Sequence, residues 1–479
     1  MVFLDAPHSF TGRFSEDDSS FSKAIGLEDS FDLLRRPMTL AGKQSALYFV
    51  DGFAKDDIME KVMEFFLSFT EKQMAVTQNA AAFCTLLLPY IETGIETDID
   101  NAVTAVLSGQ LLLLIDGLKE GILIDARTYP GRTPEEPEGD KVLRGARDGF
   151  VETIVFNTSL IRRRLRTPKL VMEMHQVGKQ SKTDVVLCYI KERADPKLVK
   201  TIQKRLDSLE VDALTMGQES LAECILERQR FNPLPRMRYT ERPDSTSAAL
   251  SEGRIVLLVD NSPAAMILPT CLFDFTQQAN DFYFPPFIGT YLKLVRLFAS
   301  LVTLFLTPVW LLLTQHPQWV PEFFSFLFVK ELNQVPIPLQ LILVEIVLDA
   351  VKLAAMNTPN VLSNAFSIVG ALILGDFAVQ AQWFVPEVVL YMAFVAITDY
   401  SQPSFELGYA FKLFRMFQVV MIAFFSQWGF LAALAILFLL AFFTRTVGRK
   451  SYLRPLVPFR KDSFLSLFFR REIHKRNRQ

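Results

Sequence analysis

The chain has 479 residues, half of them hydrophobic, and its 50 basic and 52 acidic side chains nearly cancel. This length fits two or three domains, and a mean hydropathy of +0.23 exceeds what an ordinary soluble enzyme needs. Four dispersed cysteines without a CxxC pair and four scattered histidines argue against a disulfide framework, a metal site or a histidine-based catalytic centre. We therefore expect no enzyme, no catalytic residue, no metal and no cofactor.

The charges are unevenly distributed along the chain. Residues 1–285 carry 42 acidic against 33 basic side chains, whereas residues 286–479 carry 10 against 17. The first part is therefore predicted to be water-soluble, and the second, with its long apolar runs, to be a membrane region. The N-terminus lacks a basic segment followed by an apolar one, so no signal peptide is expected, and the first part should stay cytoplasmic.

Short apolar runs predict buried strands in the first part, after a flexible leader at residues 1–40. The runs are ALYFVDGF (46–53), LLLLIDGL (111–118), DVVLCYIKE (184–192) and IVLLVDNS (255–262). They alternate with helical periodicity at 56–73 and 196–209. This alternation predicts a cytosolic α/β region over residues 41–285, with subdomains 41–175 and 176–285.

Three of these runs end in an aspartate followed by glycine or asparagine, at Asp51, Asp116 and Asp260. Acids at strand ends lie beside ligand clefts in many α/β folds. Asp-Gly at a strand end is more often turn chemistry. We interpret the three aspartates as turn residues.

The segment RGARDGFVETIVFNTSLIRRRLRTPKL (144–170) predicts a basic amphipathic helix. Dense arginines bind carboxylates of a neighbouring subunit or anionic lipid headgroups. The candidates for such contacts are Arg144, Arg147, Arg162, Arg163 and Arg164. A solvated basic face is the alternative, and nucleic acid is not expected because the surrounding region is acidic.

Apolar runs from residue 286 to 447 predict a helical transmembrane domain, followed by a basic cytoplasmic tail at 448–479. The run 294–314 has the length of one span, and the run 416–444 is nearly 30 residues. The motif SQWG at 426–429 offers a bend in this last run, which forms either one tilted helix or two short ones. The basic tail predicts cytoplasmic termini and an even number of crossings, which we expect to be four, with additional partial segments.

Two membrane segments carry polar side chains on one helical face. Glu345, Asp349 and Lys352 follow at i, i+4 and i+7, in either an interfacial helix or a face turned to a cavity. The stretch SNAFSIVGALILGDFAVQ (363–380) predicts a helix packed inside protein. Its candidate pore or helix-packing residues are Asn364, Ser367, Gly370 and Asp376, to which we add Glu345 and Asp349.

Four blocks together, at 144–165, 253–269, 364–397 and 400–415, resemble the A-subunit family of bacterial spore germinant receptors, the GerA family. The similarity runs from about residue 30 to 460. Within the family, the short leader and the wording LGDFAV and YSQPSFELGYAFK are similar to the stage V sporulation branch.

The resemblance implies a multi-pass protein of the spore inner membrane that acts in germination as a homo-oligomeric ion channel. Its implied partners are further copies of itself, other germination membrane proteins and membrane lipids, with monovalent cations as conducted ions. Asp376, or the pair Glu345 and Asp349, would then form an acidic ring that favours cations. A non-conducting scaffold for germination proteins and a secondary transporter remain as alternatives.

Overall fold

The structure, a computed structural model, describes most of the chain in two compact units. The α/β unit comprises residues 1–228 and 237–269, and the helical unit comprises residues 229–236 and 270–479. Described residues are 9–54, 56–77, 79–88, 92–127, 140, 142–227, 229, 231–329, 334–357, 378–448, 451–459 and 461–470. The predicted boundary after residue 285 is therefore too late. Residues 270–285 belong to the helical unit, where buried Asp281 accepts a hydrogen bond from Arg296 at 2.6 Å.

The first half of the α/β unit is an antiparallel sheet of order β1-β2-β4-β5-β3, with five helices in its described residues. Its strands are β1 (Leu33–Leu40), β2 (Lys43–Val50), β3 (Thr93–Glu96), β4 (Leu111–Ile115) and β5 (Gly121–Ile124). Its helices are α1 (Phe14–Ile25), α2 (Asp56–Leu67), α3 (Glu71–Val76), α4 (Ala80–Leu86) and α5 (Ile99–Leu107). All of β4 is buried, which explains its uninterrupted apolar sequence.

The second half repeats this architecture, with the sheet order β6-β7-β9-β10-β8. Its strands are β6 (Leu170–Val177), β7 (Thr183–Ile190), β8 (Arg238–Thr240), β9 (Ile255–Val259) and β10 (Ala265–Leu268). Its helices are α6 (Ile154–Arg164), α7 (Pro196–Asp207), α8 (Gly217–Ile225) and α9 (Pro243–Ser251). In both halves a helix precedes a long hairpin, and the fully buried fourth strand lies at the centre of the sheet.

These elements confirm the predicted α/β fold and correct two of its limits. The prediction of a flexible leader is wrong for residues 9–40, because this segment contains α1 and β1. The subdomain border at residue 175 is also misplaced, because it falls inside β6. The apolar stripe of α1 (Phe21 and Ile25 are buried) packs on the first sheet, so the N-terminal segment is part of its core.

The three strand-end aspartates lie in turns, as predicted. The residues after them have positive φ angles: 77° at Gly52, 88° at Gly117 and 62° at Asn261. Asp116 accepts the backbone N–H of Phe14 at 3.1 Å, and Asp260 accepts that of Ile154 at 3.2 Å. These two aspartates therefore satisfy the first N–H groups of α1 and α6, an equivalent role in the two halves.

The helical unit is built from seven α-helices in its described residues. They are α10 (Asn280–Tyr283), α11 (Pro286–Gln315), α12 (Ile337–Asn357), α13 (Ala378–Gln380), α14 (Pro386–Tyr400), α15 (Phe405–Phe443) and α16 (Lys461–Phe468). By length and composition, α11 and α15 are apolar enough to cross a membrane. Helix α16 packs at the start of α11, where Lys293 donates to the carbonyl of Ser466 at 3.2 Å.

Helix α15 folds back on itself at Ser426. This residue has φ 50° and ψ −130°, which no helix contains. A Cβ added at Gly429 would lie 2.0 Å from the carbonyl oxygen of Met421, so glycine is needed for the reversal. Leu413 and Phe417 of the first arm line one pocket together with Ile436 and Leu440 of the second. The run therefore forms two antiparallel arms, 405–425 and 427–443, and the bend predicted at SQWG is confirmed.

Candidate functional site

A network of charged side chains lies inside the helical unit, between α12 and the first arm of α15. Lys412 binds Glu345 at 3.0 Å and also contacts the carboxylate of Asp349. Arg415 donates to Glu345 at 2.6 Å and to the backbone carbonyl of Thr303 in α11. The side chains of Glu345, Lys412 and Arg415 are all at most 5% exposed, so this network is shielded from the surroundings.

A second ion pair extends the network towards the end of α14. Lys352 contacts Asp399 at 2.5 Å, and its ammonium lies 4.6 Å from the ring centroid of Tyr400. The two side chains of the pair are 19% and 11% exposed, and that of Asp349 is 34% exposed. This end of the network is therefore partly accessible, in contrast to Arg415.

Uncharged polar groups of α11 complete the interior. Ser300 donates to Gln402 at 2.9 Å, and Thr303 donates to the hydroxyl of Thr398 at 3.0 Å. All four side chains find partners within the protein, as buried hydroxyl and amide groups require. The polar interior thus involves four helices, α11, α12, α14 and α15.

The helical period explains how the sequence assembles this network. Glu345, Asp349 and Lys352 lie on one face of α12, and Lys412, Arg415 and Gln418 follow at i, i+3 and i+6 on the first arm of α15. Three acids and three bases pair in full, because an unpaired charge away from water would cost several kcal/mol.

The sequence left two environments open for Glu345 and Asp349: an interfacial helix, or a helix face turned to a cavity. The structure shows neither of them. Their face is turned inward, as the cavity alternative required, but the space is filled by Lys412 and Arg415. The structure thus places Glu345 and Asp349 in helix packing, and their contribution to a pore stays a prediction. The candidates Asn364, Ser367, Gly370 and Asp376 lie outside the described residues.

One candidate arginine of the basic segment has a different role from the predicted one. Arg162 is fully buried, and its guanidinium binds both carboxylate oxygens of Asp32, at 2.8 and 2.9 Å. It also donates to Ser30 at 2.9 Å, and Ser30 accepts the N–H of Met172 at 3.0 Å. The prediction that Arg162 contacts lipid or another subunit is therefore wrong, because no surface of it is available.

The remaining arginines divide by their exposure. Arg164 is half-buried and binds both oxygens of Asp148 at 2.6 Å, which holds the preceding loop against α6. Arg144, Arg147 and Arg163 are exposed. The last three thus keep the accessibility that a subunit or lipid contact needs.

The outer surface of the helical unit is apolar, the reverse of a soluble protein. Phe298, Phe424 and Trp428 are 68%, 79% and 71% exposed, whereas Arg415 is 2% exposed. Large exposed apolar surfaces mark contacts with membrane or protein. An apolar exterior around a paired polar interior fits a lipid environment.

Comparison with known proteins identifies the family. The family model described as Bacillus/Clostridium GerA spore germination protein matches residues 21–479. The chain belongs to the GerA family. The resemblance inferred from its four sequence blocks is thus confirmed, and the chain is a spore germination protein of that family.

GerA relatives align with this chain over most of their length. Stage V sporulation protein AF of Bacillus subtilis (strain 168) is 35% identical over 445 residues, 93% of this chain and 90% of that protein. Spore germination protein GerLA of Bacillus cereus is 30% identical, over 90% of this chain and 88% of that protein. The uncharacterized membrane protein YfkQ of B. subtilis is 27% identical, over 88% and 82%.

Among solved structures, the chain is similar to the crystal structure of the N-terminal domain of the A subunit of the Bacillus megaterium spore germinant receptor GerK3. The sequence identity is 24% and the TM-score is 0.41, with 54% of this chain and 95% of that chain covered.

Sequence reasoning on this GerA chain missed the basic half of the network. Lys412 and Arg415 lie in the stretch YSQPSFELGYAFKLFR (400–415), which carried the family resemblance but no assigned role. The available signal was complementarity: two bases three residues apart in one apolar helix match two acids four residues apart in another. Gln418 continues the same face and was also missed.

Proposed function

We propose that this chain is a subunit of a homo-oligomeric ion channel that spans the spore inner membrane and promotes ion release during germination. The observation that carries the proposal is the paired charge network inside a helical unit with an apolar exterior. Charged groups within membrane segments are costly and are retained mainly along ion pathways. A non-catalytic role agrees with the dispersed histidines and cysteines.

The proposed topology has several membrane crossings, four of them complete, and both termini in the cytoplasm. The fold-back of α15 supports it, because the two ends of this helix lie on the same side of the unit. Basic residues support it as well: Lys293 and Arg296 at the start of α11 lie beside α16 of the basic tail. Cytoplasmic ends of membrane helices carry such an excess of lysine and arginine.

The test combines native mass with conductance of the purified protein in a planar bilayer. A stable particle of several copies that conducts ions supports the channel. A stable particle without conductance favours the scaffold, and a monomer with solute transport favours a secondary transporter.

Selectivity tests the acidic candidates. Replacing Asp376, Glu345 and Asp349 by the neutral amides should reduce the preference for cations in the reconstituted oligomer. The exposed surface acid Glu192, replaced by Gln, serves as control. Unchanged ion selectivity in the triple variant would exclude these acids from the conduction path.

Partners follow from the same proposal. The exposed Arg144, Arg147 and Arg163 would contact anionic headgroups or carboxylates of a neighbouring copy, and other germination membrane proteins would bind the assembled particle. Charge reversal to glutamate at these three positions should weaken the binding to vesicles that contain anionic lipid, or shift the native mass. Loss of neither property would assign these arginines to a solvated face.

A further inference from the structure

The strongest unexplained feature is the buried amide of Gln418, on the first arm of α15. The residue is 1% exposed, and neither its amide oxygen nor its amide nitrogen has a partner among the described residues. Nε of Arg415, one helical turn earlier on the same face, is equally without a partner there. Buried polar groups are almost always hydrogen-bonded, so these three atoms need an explanation.

The size of any partner is limited by burial. Gln418 and Arg415 are 1% and 2% exposed within a single chain, so a side chain of a second copy does not reach them. Only a small species fits between the helices. It must accept hydrogen bonds from the N–H groups of Arg415 and Gln418 and must also donate to the amide oxygen of Gln418. Water has both capacities, whereas a monatomic anion or cation has only one of them.

Polar groups follow these three atoms along the helix in both directions. On one side lie Lys412 and the partly exposed Asp349. On the other, one turn after Gln418, the carbonyl of Ile422 accepts a bond from Gln315 at 3.4 Å. Gln315 is exposed and accepts the hydroxyl proton of Ser426 at the fold-back, at 2.8 Å. The polar side chains of Lys412, Arg415 and Gln418 thus follow one another about 5 Å apart along the arm. From Gln418 to Ser426 only the backbone carbonyl of Ile422 continues the line, because the Ile422 side chain packs in an apolar cluster.

We propose that each subunit contains its own water-filled polar path, which runs from the Asp349–Lys412 pair past Arg415 and Gln418 to the hairpin tip at Ser426. Its narrowest part lies at Arg415 and Gln418, whose buried, unpartnered atoms bind water that exchanges with bulk solvent. It lies within one chain and requires neither an oligomer axis nor a second subunit. It supplies solvent and protons to the ion pairs of the membrane interior.

Thiol accessibility tests the path in membrane vesicles of the full-length protein. In Gln418→Cys, the small water-borne ion Ag⁺ should block later alkylation of the new thiol, because Ag⁺ reacts with thiols that contact water. The matched control is Val419→Cys, one residue on, which is 2% exposed and packed in an apolar cluster. Mass spectrometry separates the new thiol from the four native cysteines. We expect a reaction at least ten times faster at position 418, and equal rates would overturn the proposal.

A second variant gives an independent readout. Gln418→Met keeps the size of the side chain and removes both polar atoms. If water is bound at Gln418, this substitution removes two of its hydrogen-bond partners, and the unfolding temperature in detergent falls. A dry pocket would give the opposite sign, because an unsatisfied amide is removed, so an unchanged or higher unfolding temperature overturns the proposal. Neither readout depends on conductance, and the result stands apart from that of the channel experiment.

Discussion

The buried pair Arg162–Asp32 should control the stability of the whole α/β unit. It joins the two halves, because Asp32 precedes β1 of the first sheet and Arg162 belongs to α6 of the second half. The junction is close throughout: Ser159 of α6 donates to the carbonyl of Asp51 at 3.1 Å, and a Cβ added at Gly52 would lie 2.4 Å from that hydroxyl. We therefore expect Asp32→Ala to loosen both halves.

The magnitude follows from burial. The two side chains are 0% and 2% exposed, so removal of the carboxylate leaves a guanidinium without its counter-ion and without solvent. Breaking such a pair costs about 3–5 kcal/mol. The exposed pair Lys169–Glu192, at 53% and 67%, contributes at most about 1 kcal/mol. Glu192→Gln is thus the matched control in the same unit.

Hydrogen exchange read by mass spectrometry is the suitable assay, because all four tryptophans lie in the helical unit and their fluorescence does not report on this one. Peptides from β2 and β7 should exchange roughly two to four powers of ten faster in Asp32→Ala, since about 1.4 kcal/mol is one power of ten. The double variant Asp32→Leu with Arg162→Met should recover most of the loss. Acceleration confined to one half, or no recovery, would refute the coupling.

Three further predictions concern other parts of the chain. Glu345→Gln should lower the unfolding free energy of the helical unit, followed by tryptophan fluorescence, by about 3–5 kcal/mol, because Lys412 and Arg415 lose their shared carboxylate. Glu387→Gln, in α14, is the control. Equal losses of unfolding free energy in the two variants would contradict the prediction. Gly429→Ala should abolish the monodisperse folded protein in size-exclusion chromatography. Gly408→Ala should be tolerated, because its Cβ would lie 3.2 Å from a side-chain oxygen of Asp399 and not 2.0 Å from a backbone carbonyl. The pKa of His175 is raised by its contacts with Glu173 and Asp207. Since the folded-state pKa is the higher one, this stabilisation is complete below about pH 6.5 and disappears as the pH rises through the folded value. In urea unfolding, the free energy of unfolding of His175→Gln should therefore be lower than that of the natural protein at pH 6, and the two values should converge at pH 9. A difference that is the same at both pH values would show that titration of His175 does not contribute.

The α/β unit was largely predictable because its central strands leave an unambiguous signal. Strands β4 and β9 are buried on both faces, and each ends in a turn whose aspartate and positive-φ residue are visible in the sequence. The leader was missed because α1 contributes few apolar residues, and only its contact with the sheet makes it part of the core. The repeat of the two halves was missed because they share the order of their strands and not their amino-acid sequence.

Only half of the site was predictable from the sequence. The pattern of a helix face shows which charged side chains need a partner, but it does not show which residues supply that partner. Glu345 and Asp349 were recognised as costly in lipid, but their partners lie more than 60 residues further on in α15. The role of Arg162 was misassigned because an arginine in a basic cluster is normally exposed. Only the approach of the two halves of the unit buries it against Asp32.

The ion pairs between α12 and α15 also imply an order of biogenesis. The chain emerges from synthesis with the acids of α12 first, and the bases of α15 follow some 60 residues later. In the proposed membrane topology, α12 alone would leave one acid unneutralised, because Lys352 balances only one of Glu345 and Asp349. The first arm of α15 alone would bring Lys412 and Arg415 without these acids, and unneutralised charges in lipid are costly. In the proposed membrane topology, we therefore expect α12 to remain near the insertion machinery, or close to the headgroups, until the first arm of α15 arrives. In that topology, Lys412 and Arg415 would hold the earlier helix α12 in the membrane by pairing with its acids.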